Sequence, residues 1–284
     1  MAGVRAGEAI AEGFRFMGPA VSQAFGAIIL QAGVVVITEL MGGDQPAPYM
    51  TWLVVLLRLP FTVIMTGAFL RLALAGDVAV GSGSLGPGGL QWGSLEWRLL
   101  GLRLILGVIY VMIAIAAILI IVVGIVALMG TGLIPQIRPE QINKDTILGL
   151  LTGPLGLALL VLGIPALALF IFIGVKLSLA YLVTAAEGKL GIGRAWALSS
   201  GVFWPLLAVA LVGGLVSLGA GAVGGIIGGV AKALLGGSAT RLGAAFGAGL
   251  GAAFGELFLA GAFTFIYRTV TGAGGAAKID EVFV

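Results

Sequence analysis

Apolar residues dominate six long stretches of this 284-residue chain, and polar residues collect in the shorter segments between them. A helix that crosses a ~30 Å hydrocarbon core needs about 20 mainly apolar residues, and each of the six stretches meets that length. The pattern therefore predicts an all-α integral membrane protein, a single polytopic domain over residues 1–284. The six transmembrane helices are expected near residues 20–38, 51–75, 105–129, 155–184, 206–230 and 244–267.

A short amphipathic segment precedes the first predicted span. Its charged and apolar positions each recur at helical spacing, which is typical of a helix lying in the membrane interface. The segment lacks the apolar core and cleavage site of a signal peptide, so we expect the first membrane helix to be retained. The polar stripe consists of Arg5, Glu8, Glu12 and Arg15, and the apolar stripe of Ile10, Phe14 and Met17.

The same arrangement recurs later in the chain. Gly7, Ala9 and Pro19 have counterparts at one fixed offset, and a degenerate version covers 95–103. In each case a short segment runs into a predicted span, which predicts repeated helical hairpins, each introduced by an interfacial amphipathic helix. The counterparts in the second copy are Gly193, Ala195 and Pro205.

The amino-acid composition limits the classes of catalytic and metal site that the chain can form. Hydrophobic residues make up 60% of the chain and charged residues 10%, against roughly 45–50% and 25% in soluble domains. The absence of cysteine and histidine excludes thiolate and imidazole metal sites and any nucleophile paired with histidine. Gly81, Gly83 and Gly86 match a dinucleotide-binding spacing, but that spacing has meaning only between a strand and a helix. We predict no enzyme activity, no metal and no cofactor.

The net charge of +3 reflects membrane orientation better than nucleic-acid binding, because the basic residues lie at helix ends. Ten of those considered belong to one side of the membrane and four to the other, which predicts a bacterial inner-membrane protein with both termini cytoplasmic. The ten are Arg5, Arg15, Arg71, Arg98, Arg103, Lys176, Lys189, Arg194, Arg268 and Lys278. The four are Arg138, Lys144, Lys232 and Arg241.

Two ionisable residues, Arg58 and Glu256, lie deep within predicted spans. A charge at the helix centre costs roughly 2.5–3.5 kcal/mol on insertion scales, so pairing of the two side chains would offset part of the cost. One hypothesis is a proton or substrate site. We favour the alternative, a structural ion pair or an outward-reaching Arg58 with a protonated Glu256. Lys176, near a helix end, is expected to snorkel.

Glycines recur at every fourth position in the last two predicted spans. Such ridges let helix backbones approach closely. We favour packing of these two helices against each other over a homo-oligomer contact. The glycines are Gly221, Gly225, Gly229, Gly243, Gly247, Gly251 and Gly255.

The stretch from Lys176 to Pro205 resembles the membrane domain associated with glycerophosphodiester phosphodiesterases and its stand-alone bacterial relatives. In that pattern a basic residue and a serine lead to an acid-glycine turn, a helix with an Ala-x-x-x-Ser-like spacing and an aromatic residue before the next span. The matching residues are Lys176, Ser178, Glu187, Gly188, Ala195, Trp196, Leu198, Ser199, Gly201, Phe203 and Trp204, with Arg194 in the same interfacial segment. The closing Phe265, Tyr267 and Arg268 resemble the end of that domain.

The resemblance implies a six-helix membrane module without the separate catalytic barrel of the phosphodiesterases. Three functions stay open. The first is a non-enzymatic module that associates with membrane lipids, a partner membrane protein or a second copy of itself. The second is a small transporter or channel using Arg58 and Glu256, and the third is a lipid-acting enzyme at the cytoplasmic face, suggested by Lys189, Arg194 and Trp196.

Overall fold

A computed structural model of the chain describes residues 4–42, 48–75, 86–131, 153–235 and 239–272. This described part is helical and contains no strand, which confirms the all-α prediction. A single 3₁₀ turn, Pro87–Gly89, interrupts the series of α-helices. The helices are α1 (Ala6–Gln23), α2 (Phe25–Gly42), α3 (Pro48–Ala75), α4 (Ser94–Gly130), α5 (Pro154–Leu177), α6 (Ala180–Glu187), α7 (Ile192–Ser200), α8 (Phe203–Leu235) and α9 (Ala239–Thr271).

Several of these helices are compatible with a membrane protein. Five are long and apolar enough to cross a bilayer, and a sixth span exists if α1 and α2 together form one. The prediction of one continuous helix over residues 20–38 is wrong. The helix breaks at Ala24, and α1 and α2 meet at 85°. Of the residues singled out above, Gly81, Gly83, Arg138, Lys144 and Lys278 lie outside the described part.

The bend between α1 and α2 is filled by the 3₁₀ turn. A Cβ atom on Gly26 would lie 2.8 Å from the carbonyl oxygen of Gly88, and one on Gly89 would lie 3.2 Å from Ala68. Gly88 and Gly89 have φ of +61° and +84°, a region that residues with a Cβ rarely enter. Glycines on both sides therefore allow the turn to enter the elbow.

The chain forms two compact units by its contacts. One combines residues 1–102 with 175–284, and the other is the hairpin 103–174. The core of the first unit joins the α1–α2 elbow to α3 and α9, and it is built mainly of alanines around a few large side chains. Its buried members are Ala20, Ala24, Ala27, Ile28, Met65, Ala68, Phe69, Leu72, Ala73, Ala253, Leu257 and Ala260.

α1 packs on α9 by reciprocal insertion of aromatic rings into glycine gaps. Phe258 of α9 covers Gly13, and Phe16 of α1 covers Gly261. Phe258 is fully buried, and its ring centroid lies 4.9 Å from that of Phe14. The amphipathic segment predicted before the first span is helical, and the helix extends to Gln23.

Three buried positions of α1 recur at the spacing of the predicted repeat, which stays a prediction. The buried positions of α1 are Ala9, Gly13 and Ala20. Adding 186 to each residue number gives three buried positions in the second copy, and adding 86 gives three in the degenerate copy. These positions are Ala195, Ser199 and Leu206, then Leu95, Leu99 and Leu106. The helix break does not repeat, because α1 runs past Pro19 whereas α7 ends before Pro205.

The second unit is a hairpin with few contacts between its two helices. The rings of Tyr110 and Phe170 lie 5.2 Å apart, and Leu162 packs over Gly124. The most apolar 18-residue stretch of α4 contains no buried residue. Apolar side chains on both arms are therefore open to the surroundings, for example Val123 at 65% and Leu157 at 66% exposure.

Candidate functional site

A ladder of hydroxyl groups runs along one face of α3 and ends at Glu256. Arg58, Thr62 and Thr66 are four residues apart, so they lie on the same helix face. The Thr62 hydroxyl donates to the Arg58 carbonyl at 2.9 Å, and the Thr66 hydroxyl lies 2.8 Å from the Thr62 carbonyl. Thr66 Oγ1 also lies 2.8 Å from Glu256 Oε2. The ladder thus ends at the Glu256 carboxyl on one side, and on the other it reaches the backbone carbonyl of Arg58 and not its guanidinium.

Glu256 occupies the middle of its helix. The membrane-compatible part of α9 is Arg241–Thr271, and residue 256 is its midpoint. On α3 the corresponding stretch is Leu53–Ala75, so Thr66 lies two residues past the centre. A charged side chain at this depth costs roughly 2.5–3.5 kcal/mol on insertion scales. A polar contact such as that from Thr66 offsets part of this cost.

Arg58 has a partner at the other end of the ladder. Its Nε donates to the Thr38 hydroxyl of α2 at 2.6 Å, and that hydroxyl faces the Val34 carbonyl at 2.8 Å. The predicted pairing of Arg58 with Glu256 stays a prediction: the structure gives Arg58 its bond to Thr38 and Glu256 its bond to Thr66.

Gln31 adds a buried polar group beside the ladder. It is 5% exposed, and its Oε1 has no hydrogen-bond partner within the described part of the chain. Thr38 contacts Arg58, and α2 runs back along α3. Gln31, seven residues before Thr38, therefore lies at roughly the height of Thr66, eight residues after Arg58, at 1.5 Å per residue. Gln31 of α2 and Thr66 of α3 thus lie near one level, whereas the neighbour of Ala32 on α9 is Gly249, seven residues before Glu256.

A buried ion pair on α3 and α4 was not predicted from the sequence. Arg71 of α3 and Glu96 of α4 are 4% and 0% exposed, and Arg71 Nη1 lies 2.7 Å from Glu96 Oε1. A second contact, from Nη2 to Oε2, is also 2.7 Å, and the Gly93 amide donates to the same oxygen at 2.8 Å. The absence of a side chain on Gly67 leaves the space for this carboxylate. This pair fastens the start of α4 to α3.

The segment behind the family resemblance is compact. Ser199 is fully buried, and its hydroxyl faces the carbonyls of Lys176 and Trp196, both at 3.0 Å. Arg194 donates to Glu187 at 3.2 Å. Ser178 bonds to the Val175 carbonyl at 2.8 Å. The motif residues therefore hold α5, α6 and α7 together.

Other residues of this segment turn outward. Phe203 and Trp204 contact each other edge to face with centroids 5.5 Å apart, and Trp204 is 74% exposed. Trp196 is 41% exposed. Exposed tryptophans are typical of a membrane interface, and the interfacial location of this segment stays a prediction.

Two basic residues near helix ends are held by the protein itself. Lys176, expected to snorkel, is only 8% exposed; its Nζ donates to Ser200 Oγ at 2.7 Å and lies 5.6 Å from the Trp196 ring centroid. Arg268 donates to the Ala73 and Leu74 carbonyls at 3.2 and 2.7 Å, which satisfies carbonyls left open at the end of α3.

The glycine ridges pack α8 against α9, but the predicted contact residues on α8 are partly wrong. Gly243, Gly247, Gly251 and Gly255 of α9 all lie against α8, as expected, and Gly221 also contacts α9. Gly225 and Gly229 do not, because a Cβ on either would meet open space. The contact on α8 continues through Gly224 and Gly228 instead, since a strict step of four drifts around a helix of 3.6 residues per turn.

Sequence signals for the missed residues existed. Thr62 and Thr66 continue the four-residue spacing from Arg58, and Arg71 lies inside the predicted span 51–75. A charged residue inside a span requires a partner. The partner Glu96 has no comparable signal, because it follows a glycine-rich linker and looks like a solvated helix start.

Among the described residues, no group of three or more acidic side chains comes together in a way that would hold a metal ion. Comparisons with protein families, with curated proteins and with solved structures find no match to this chain. The relation to the phosphodiesterase-associated membrane domain therefore stays a prediction.

Proposed function

We propose that the chain is a multi-pass module of the bacterial inner membrane, with both termini cytoplasmic, that works by association with lipid or with a partner membrane protein. Catalysis is not part of the proposal.

The hairpin 103–174 carries this proposal. Its helices contact each other at few places, such as Tyr110 with Phe170, and they present apolar side chains around most of their surface. In a bilayer, helices associate through close packing and polar contacts rather than through hydrophobicity alone. A hairpin with little packing of its own is suited to packing against another molecule, with lipid covering the remaining surface.

Native mass spectrometry of protein extracted gently from its own membrane tests the proposal. We expect a stoichiometric partner, or one lipid class enriched above its share in the membrane. A bare monomer, with retained lipid matching the bulk composition, would contradict it.

A photoreactive residue at Val123 would locate the contact. The matched control is the same residue at Leu218, which is 71% exposed on α8 against 65% for Val123. A protein partner on the hairpin should give a discrete adduct at Val123 and not at Leu218. Equal labelling at both positions would leave lipid as the associating molecule.

The ladder from Arg58 to Glu256 supports a second candidate, a small transporter or channel. Two charged groups inside membrane-compatible helices carry an insertion cost, and hydroxyl groups lie on the same face of α3 between them. Substitutions Glu256→Gln and Arg58→Leu should then abolish or strongly reduce flux in vesicles. Unchanged flux across the substrates tested would remove the candidate.

The third candidate, a lipid-acting enzyme, depends on the interfacial groups around Arg194. Its predicted residues Arg194 and Glu187 are bonded to each other, an arrangement that serves packing. The candidate would gain support if Glu187→Gln abolished a lipid product that membranes carrying the unaltered protein accumulate.

A further inference from the structure

The hydroxyl of Thr66 has two oxygen neighbours at the same distance. Its Oγ1 lies 2.8 Å from the Thr62 carbonyl oxygen and 2.8 Å from Glu256 Oε2. A threonine hydroxyl has one hydrogen to donate, and a backbone carbonyl can only accept. An ionised Glu256 would also be an acceptor, so a single hydrogen would have to serve two acceptors.

A protonated Glu256 resolves this arrangement. The carboxyl O–H then donates to Thr66 Oγ1, and the Thr66 hydroxyl donates to the Thr62 carbonyl. Each short contact becomes a complete hydrogen bond, and no charge is placed at the midpoint of α9. The hydrogen-bond geometry of Thr66 thus favours a protonated Glu256.

We propose that Glu256 reversibly binds a proton within the membrane. In the conformation described here the proton is bound, and the Thr66 hydroxyl changes its hydrogen-bond acceptor when the proton leaves. When the site empties, the carboxyl O–H bond breaks and the proton leaves to water. The Thr66 hydroxyl then rotates its hydrogen from the Thr62 carbonyl to the new carboxylate. The ligand is a proton, and no other reactant is required.

The charged groups around α9 are consistent with this assignment. α9 packs against α1, α2, α3, α6 and α8. On α3, Arg71 is engaged by Glu96, and Arg58 lies about 12 Å along the helix from Thr66. Residues 203–230 of α8 contain no ionisable side chain. The remaining charged groups on these helices are the exposed Glu39, Lys232 near the end of α8, the pairs Arg5–Glu8 and Arg15–Glu12, and Glu187 of α6, which is paired with Arg194 of α7. The tyrosines are Tyr181 on α6 and Tyr267 on α9. On α9 itself, Arg241 and Arg268 lie about 22 and 18 Å along the helix from Glu256.

Infrared difference spectroscopy of the full chain in lipid bilayers tests the proton site, because a protonated carboxyl absorbs apart from a carboxylate. We expect a protonated-carboxyl band at neutral pH that Glu256→Gln removes and Glu39→Gln keeps. The band should shift in deuterated water and disappear reversibly at alkaline pH.

Thr66→Val identifies the hydrogen bond without removing the carboxyl. The band should move toward the frequency of a carboxyl that lacks this bond. Thr269→Val is the matched control, because the Thr269 hydroxyl makes the same backbone contact, 2.8 Å to the Phe265 carbonyl. The Thr66 variant also assigns the band if Glu256→Gln fails to fold.

Two results would overturn the proposal. Absence at neutral pH of any band that depends on Glu256 and Thr66 would show an ionised carboxylate. A dependent band that neither pH nor deuterium changes would show a permanently neutral structural acid. The inference builds on the transport candidate, because it names the proton as the transported ion. The infrared test, however, does not depend on any measurement of flux. Failure of transport or of association would therefore leave the band in place.

Discussion

Removal of the Glu96 carboxylate should destabilise the protein far more than removal of an exposed one. Glu96 is fully buried and makes two contacts of 2.7 Å with Arg71 and one of 2.8 Å with the Gly93 amide. The substitution Glu96→Gln leaves the Arg71 charge buried without its counter-ion, which costs about 3–5 kcal/mol. The matched control Glu12→Gln breaks an exposed pair at 3.6 Å, and exposed pairs contribute about 0.2–1 kcal/mol.

The assay measures reversible unfolding in mixed micelles as the share of denaturing detergent is raised. Unfolding is monitored by the loss of contacts between helices. A double variant, Arg71→Met with Glu96→Leu, separates charge from shape, because apolar side chains of similar volume often replace a buried pair at little cost. The double variant should therefore be more stable than Glu96→Gln alone. If Glu96→Gln costs no more than Glu12→Gln, the pair does not fasten α4 to α3 and the reasoning is refuted.

Three further expectations follow from packing and topology. Gly224→Leu should destabilise the α8–α9 contact by about 1–3 kcal/mol through overpacking, whereas the neighbouring Gly225→Leu should have little effect in the same unfolding assay. Phe258→Ala should cost about 3–5 kcal/mol, and Phe14→Ala, which truncates the 52% exposed partner ring, should cost clearly less. Reporter enzymes fused to the two ends should both report the cytoplasm; opposite readings would contradict the six-span layout.

Long apolar helices were predictable because insertion into a bilayer demands them, and the described part of the chain contains several. The elbow at Ala24 was not predictable. Its residues read as a continuous apolar helix, and the bend depends on a turn whose glycines, Gly88 and Gly89, lie far away in the chain. Tertiary contacts of this kind leave no local pattern.

The site was predictable in part for a similar reason. The high cost of a charge in a membrane singles out Arg58 and Glu256 from sequence alone. The Thr66 contact depends on the rotation of α9 relative to α3, which hydrophobicity does not encode. The α8 glycines show how precisely the rotation of a helix must be known to predict its contacts. Gly225 and Gly224 differ by 100° around the helix axis, and only Gly224 faces α9.

The reciprocal packing of α1 and α9 constrains how the protein is made. Phe258 and Gly261, which hold α1, are synthesised more than two hundred residues after Gly13. Until the ribosome has released them, α1 has none of these contacts. α1 is therefore among the last helices to reach its final packing, and a chain that stops before α9 would leave Gly13 and Phe16 without the partners they have in the complete fold.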